Sequence, residues 1–103
     1  MGITKTAGFS RKINDLSEII RAIGHPGRLK IIQYLMHHKS CVAGDILIIM
    51  PLAQSTVSKH IYELKKVDLI TGKFVGNNIS YSLNKKTWQK VKDFLLTDIS
   101  EIN

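Results

Sequence analysis

Leu52-Ala-Gln-Ser-Thr-Val-Ser-Lys-His-Ile-Tyr-Glu-Leu-Lys-Lys-Val-Asp-Leu-Ile70 is the stretch on which the reading of this chain turns. Val57, Ile61 and Leu64 recur at three- and four-residue spacing and form one apolar stripe of a helix. The other face carries Gln54, Ser55, Thr56, Ser58, Lys59 and Tyr62, and no acidic residue precedes Glu63. An ordinary surface helix mixes Glu with Lys for solubility; this one does not. Short donors and acceptors on the exposed first turns of a helix are what a major-groove reader needs, because those turns reach the base edges. The same face also fits a solvated, Ser/Thr-rich helix surface, and this stretch alone does not separate the two.

On the C-terminal side the period changes after Leu69 from helical to alternating. Ile70-Thr-Gly-Lys-Phe-Val75 reads as one strand and Ile79-Ser-Tyr-Ser-Leu83 as its partner, with Gly76-Asn77-Asn78 supplying the positive φ values of a tight hairpin. Asn84 caps a last helix with Trp88, Val91, Leu95 and Ile99 on one side and Phe94 beside them. On the N-terminal side Pro51 stops a helix predicted over Cys41–Met50, since the residue before a proline is pushed out of the helical region. That helix is apolar through Ile46-Leu47-Ile48-Ile49-Met50, which predicts a central element covered by its neighbours. The helix after Pro51 starts about Gln54, with Ala53 where a Ser or Thr cap would stand. Two helices joined this closely form a helix-turn-helix.

Further upstream, His25-Pro26 starts a helix because proline at the first helical position loses no needed N–H. Its predicted buried face is Leu29, Ile32, Leu35 and Met36, and Lys39-Ser40 closes it. A first helix begins at Ser10, carries Ile13, Leu16, Ile20 and Ile23 with Ile19 widening the stripe, and ends at Gly24. Residues 1–9 read as a mobile arm.

With 103 residues the chain makes one small domain, residues 1–103, without an internal repeat or linker. A domain of this size buries only part of its apolar surface, so a partner subunit would help it. Apolar residues at 44% and charged residues at 22% describe a globular fold rather than a disordered one. Fifteen Lys and Arg against eight Asp and Glu give a formal charge of +7, which favours a polyanionic partner, either nucleic acid or an anionic membrane face, although charge alone also fits plain solubility. The single Cys41 rules out an internal disulfide framework and suits a reducing cytoplasm. No apolar run is long enough to span a bilayer, and the start lacks the core of a secretory signal. Gly2 and Thr6 match a lipidation pattern, a short and degenerate match read as chance.

Helix, helix, helix-turn-helix, hairpin, helix is a mainly α chain with a small β-hairpin. It resembles the winged helix-turn-helix fold, and in detail the ArsR-type (arsenic-repressor-like) bacterial transcriptional regulators. The resemblance is carried by Ala22-Ile23-Gly24-His25-Pro26-Gly27-Arg28-Leu29-Lys30-Ile31, by Pro51-Leu52-Ala53-Gln54-Ser55-Thr56-Val57-Ser58-Lys59-His60-Ile61 and by Leu64-Lys65-Lys66-Val67-Asp68-Leu69-Ile70. It covers about residues 12 to 95. The resemblance implies a cytoplasmic, nucleoid-associated repressor that binds a double-stranded DNA operator as a homodimer. The helix from Gln54 would enter the major groove, and the hairpin would be the wing beside it. The terminal helices would form the dimer interface through Ile13, Leu16, Ile20, Trp88, Val91 and Leu95.

On the residues themselves, Gln54 can pair bidentately with adenine, and Ser55, Thr56 and Ser58 suit base edges or phosphates. Lys59, Lys65, Lys66 and Lys73 suit phosphates. Tyr62, His60 and the wing-tip Asn77 and Asn78 complete the expected DNA-binding set, although His60 lies next to the Val57–Ile61 stripe and equally suits packing against the core. The chain departs from metal-sensing relatives: Cys41 has no second thiol near it, and the last helix has Asp93 and Asp98 but no His. The sequence therefore predicts no metal site and no cofactor, and leaves a small molecule, the redox state of Cys41 or a partner protein as the effector. His25 reads as a turn residue, His37-His38 as a polar helix end, Cys41 as a small buried hydrophobe, and Trp88 as interface packing. No carboxylate pair, nucleophile–base arrangement or phosphate-cradling loop has usable spacing, so an enzyme is not expected. Two other classes remain: a winged-helix module used only for protein–protein contact, and a membrane-surface helix around Lys86, Lys90 and Lys92.

Overall fold

A computed structural model describes residues 8–102 of the chain; the expected arm at residues 1–9 and the Gly2 lipidation match therefore lie largely outside the described residues. Five helices and three strands follow one another as α1 (Arg11–Ile23), α2 (Pro26–His37), β1 (Cys41–Val42), α3 (Ala43–Ile49), α4 (Gln54–Lys66), β2 (Ile70–Val75), β3 (Asn78–Leu83) and α5 (Lys85–Asp93). A single π-helical turn, Phe94–Asp98, and a 3-10 turn, Ile99–Glu101, extend α5.

The helix ends follow their side chains. Ser10 accepts the Ile13 N–H and starts α1, and Gly24 closes it. His25 caps α2 by accepting the Gly27 N–H on Nδ1 at 3.0 Å, with Pro26 at the first position. Asn84 Oδ1 accepts from Lys86 N at the start of α5. At the far end of α4 the Asp68 N–H reaches Lys65 O and the Leu69 N–H reaches Leu64 O, at 2.9 and 3.0 Å. Those two bonds are a Schellman closure, and Asp68 takes the left-handed position with φ 60° that glycine usually fills. The closure folds Leu69 back over Leu64, both fully buried, and aims the chain into the sheet.

Four expectations change here. Cys41-Val42 is not the start of a helix but a short strand, paired antiparallel to Tyr81 and Ser80, so the sheet has three strands in the order β1-β3-β2. Asp45 accepts the Val42 N–H at 3.1 Å and starts α3 only at Ala43. This short helix is not the central one: Ile46 is buried, but Ile48 is 83% exposed. In α2 the buried residues are Ile31, Ile32 and Leu35, whereas Leu29 and Met36 are exposed. The hairpin loop is Gly76-Asn77 alone, with φ 63° at Gly76, and Asn78 already pairs with Val75. A positive φ at the first of two loop residues is the backbone pattern of a type II′ turn.

The core is built by Ile19 and Ala22 of α1, Ile31, Ile32 and Leu35 of α2, Ile46 of α3, the Val57–Ile61–Leu64 stripe of α4, and Leu69, Ile70, Tyr81 and Val91. Trp88 is half-buried against it, and its indole N–H donates to Leu69 O at 3.0 Å, beside the Asn84 N–H that uses the same carbonyl. Trp88 and Val91 thus serve their own chain's core rather than an open face. Ile13, Ile20 and Leu95 stay 57%, 42% and 49% exposed, with Leu16 half-buried.

Candidate nucleic-acid interface

Helix α4 stands on its apolar stripe. Val57, Ile61 and Leu64 are buried, so the opposite face is held outward by the packing of the helix itself. Gln54, Ser55, Thr56, Ser58, Lys59 and Tyr62 are all exposed on it. Ala53 supplies no side-chain cap, and its carbonyl accepts the Thr56 and Val57 N–H groups. The unclaimed N–H groups of the first turn add partial positive charge at that end. Further along, Lys66 pairs with Glu63 at 3.2 Å and lies over the Tyr62 ring at 5.6 Å. This pair is solvent-exposed and stabilises little.

The wing is exposed from Thr71 to Asn78, carrying Lys73, Asn77 and Asn78, and the bare apolar tip of Phe74 and Val75, which no motif in the sequence marks. Gly72 lets β2 lie close to its partner: a Cβ there would stand 3.0 Å from Ile79 Cγ2 and 3.2 Å from Tyr81 Cε1. Lys65 reaches over the Tyr81 ring at 5.9 Å, tying the end of α4 to the sheet that carries the wing.

His60 does not belong with the exposed set. It is 5% exposed, on the core side of α4 next to Val57 and Ile61, because it lies three residues from one and beside the other. Its Nδ1 accepts from Arg28 Nε at 3.3 Å, its ring lies 4.4 Å from that of His25, and a Cβ on Gly27 would come within 2.9 Å of its Nε2. Nε2 has no partner among the described residues. Burial holds the imidazole below its ordinary pKa, and the charges of His25, Arg28 and Lys59 add to the effect. His60 therefore packs α4 against α2, and with His25 it forms the inner wall of the open hollow at the start of α4. Arg28, whose guanidinium also donates to Ala22 O at 3.3 Å, joins Ser55, Thr56, Lys59 and Leu52 around an open hollow at the start of α4. It adds a cation to that end which periodicity and charge count leave unassigned, although it stands inside one of the quoted motifs.

Protonating His60 costs stability on the acid side. A lowered folded-state pKa means that the unfolded chain takes up the proton first, so this contribution to stability is complete above about pH 6.5, the ordinary histidine value. It is then lost as pH falls toward the lower folded-state value. Urea unfolding at pH 7.5 and 5.5 should show that loss in the parent chain and a smaller one in His60→Gln, and equal losses would show that His60 is not its source.

Cys41 is buried, and burial together with the nearby Asp45 carboxylate pushes its thiol up to about 11. Such a thiol stays protonated at neutral pH and is a poor nucleophile or metal ligand. Among the described residues no three His, Cys, Asp or Glu side chains gather where they could hold a metal ion. No described helix is long and apolar enough to cross a membrane.

Residues 25–71 match the family described as bacterial regulatory protein, arsR family. The transcriptional repressor PagR of Bacillus anthracis is 36% identical over 72 residues, covering 70% of this chain and 72% of PagR. Its crystal structure superposes with a TM-score of 0.66 over 77% of this chain and 92% of that one. The transcriptional repressor SdpR of Bacillus subtilis is 29% identical over 84% of this chain and 94% of its own length. An ArsR-like transcriptional regulator from Rhodococcus sp. RHA1, at 20% identity, shares the fold with a TM-score of 0.78 over 89% of this chain and 86% of that one. The motifs that the sequence displays, the helix-turn-helix with its wing, and the identity to PagR agree, and the chain belongs to the ArsR family of bacterial regulatory proteins.

Proposed function

We propose that this chain is a sequence-specific, DNA-binding transcriptional repressor that acts on its operator as a homodimer, in the cytoplasm and at the nucleoid. The observation that carries the reading is α4: one face is locked into the core, and the other presents Gln54, Ser55, Thr56, Ser58 and Lys59 with no acidic neighbour before Glu63. Gln54 and Ser58 read base edges, while Lys59, Arg28 and the wing's Lys73 hold phosphates and set the register. Asn77 and Asn78 at the wing tip approach the backbone or the minor groove beside it. Two subunits present their α4 helices about one DNA turn apart, roughly 34–36 Å. The relatives named as repressors support the sign of regulation.

The basic surplus of the whole chain supports the same partner. A module limited to protein–protein contact tends to lose such a basic, Ser/Thr-rich helix face, and this chain keeps it.

The test is selection of bound duplexes from a random pool at fixed salt. A near-palindrome with half-sites about 10 bp apart should emerge. Lys59→Ala should then weaken selected and random duplexes alike and make the salt slope shallower by about one unit per subunit, about two for the dimer. A pool that stays random through selection would remove sequence-specific reading.

A further inference from the structure

Two helix faces that take no part in the DNA interface confront one another. Ile32, Leu35 and Met36 line one face of α2, with Lys39 just beyond its C-terminal end, and Lys85, Trp88, Gln89 and Lys92 follow one another at helical spacing along α5. Between them lies an open groove of about 750 Å3, within the usual size range of small-molecule sites. Its floor is apolar: Ile32 and Leu35 are buried, and Leu83 and Trp88 are half-buried against them. Its rim is cationic. Lys39, Lys85 and Lys92 are exposed, none has an ion-pair partner among the described residues, and no carboxylate lines the groove.

We propose that this groove binds an amphipathic monocarboxylate, with an aliphatic chain laid against Trp88 and Leu83 and the carboxylate held between Lys85 and Lys92. Charge complementarity selects the occupant. A neutral apolar ligand would make no use of the three cations at the rim, and a multiply charged polar one would leave the apolar floor wet. A second copy of this chain would have to bring a carboxylate-bearing apolar segment. Of the open apolar residues, Met36 lines the groove, whereas Ile13, Ile20 and Leu95 lie elsewhere. The chain's carboxylates are few and are concentrated outside it. The residue pattern is also legible as a device: Lys85 and Lys92 stand seven residues apart on either side of Trp88, two cations bracketing one aromatic on a single helix face.

The proposal stands whether or not α4 reads DNA, because its test contains none. Trp88 is the only tryptophan, so its emission reports the groove directly. Octanoate, kept below its micellar range, is titrated into the full chain, with octan-1-ol as the uncharged control. A saturable change with one octanoate per chain is expected. Octan-1-ol should bind at least about tenfold more weakly, and so should octanoate in Lys85→Gln/Lys92→Gln, because a charge-assisted pair is lost in each case. Both lysines are exposed, and the circular dichroism of the double variant should match that of the parent. A linear, non-saturating response, equal affinity for octan-1-ol, or an unweakened double variant would overturn the proposal. So would Trp88 emission that shifts with protein concentration alone while octanoate has no effect, which would make a second copy the occupant.

Discussion

Replacing Ile13 and Leu95 together by glutamate is expected to leave a folded monomer that binds its operator at least about 100-fold more weakly than the parent chain, because two linked half-sites exceed one by that order. The two side chains are 57% and 49% exposed and contribute nothing to the core, so the substitution does not act through folding. Ile13, Leu16 and Ile20 lie along one face of α1, and Leu95 and Leu96 extend an apolar surface beyond α5. A single exposed leucine needs no explanation, but two apolar faces on the terminal helices of a small domain do. Substituting Trp88 would confuse loss of dimer with loss of fold, because its N–H bonds to Leu69 O and its ring packs against the core. Sedimentation velocity checks the interface, and a parent chain that stays monomeric at micromolar concentration would remove it.

Leu64→Ala carries the second large effect, about 2–5 kcal/mol of destabilisation, the range for truncating a fully buried leucine. Leu64 is the third residue of the α4 stripe, the acceptor in the Schellman closure and the neighbour of Leu69. Its loss therefore loosens the recognition helix and the entry to the wing together. Thermal unfolding should fall by roughly 10–25 °C for a domain of this length, read at one fixed chain concentration because a dimer's midpoint moves with concentration. A shift within a few degrees would show that the stripe does not anchor α4.

Helix positions are the legible part of this fold, because caps and apolar periods are local. Ser10, Gly24, Pro26, Pro51 and Asn84 each act where the sequence places them. The third strand is not legible. Cys41-Val42 is two residues long, and only pairing with Tyr81 and Ser80, distant in the chain, makes it a strand. Periodicity also cannot say which of two apolar rows on α1 turns inward; Ile19 and Ala22 do, and Ile13 and Ile20 do not. The same limit applies to Ile31 against Leu29 and Met36 on α2. The sequence leaves His60 between core packing and a phosphate contact, since it is polar but stands beside the Val57–Ile61 stripe; its side chain is buried on the inner face. Trp88 reads as an interface residue from its apolar neighbours, whereas its N–H needs an acceptor and finds the Leu69 carbonyl. The exposed face of α4 can be read from sequence because burial of Val57, Ile61 and Leu64 fixes everything opposite them.

The central claim is that this face reads bases, and Gln54→Ala tests it most directly. Gln54 is exposed in the first turn of α4, so removing its amide leaves the fold intact. Affinity for the selected operator and for a random duplex is measured side by side at one salt concentration. The expected result is a loss of about 1–3 kcal/mol on the operator and almost none on random DNA, the signature of a lost base-edge contact. Unchanged affinity for the operator, or an equal loss on both duplexes, would contradict it.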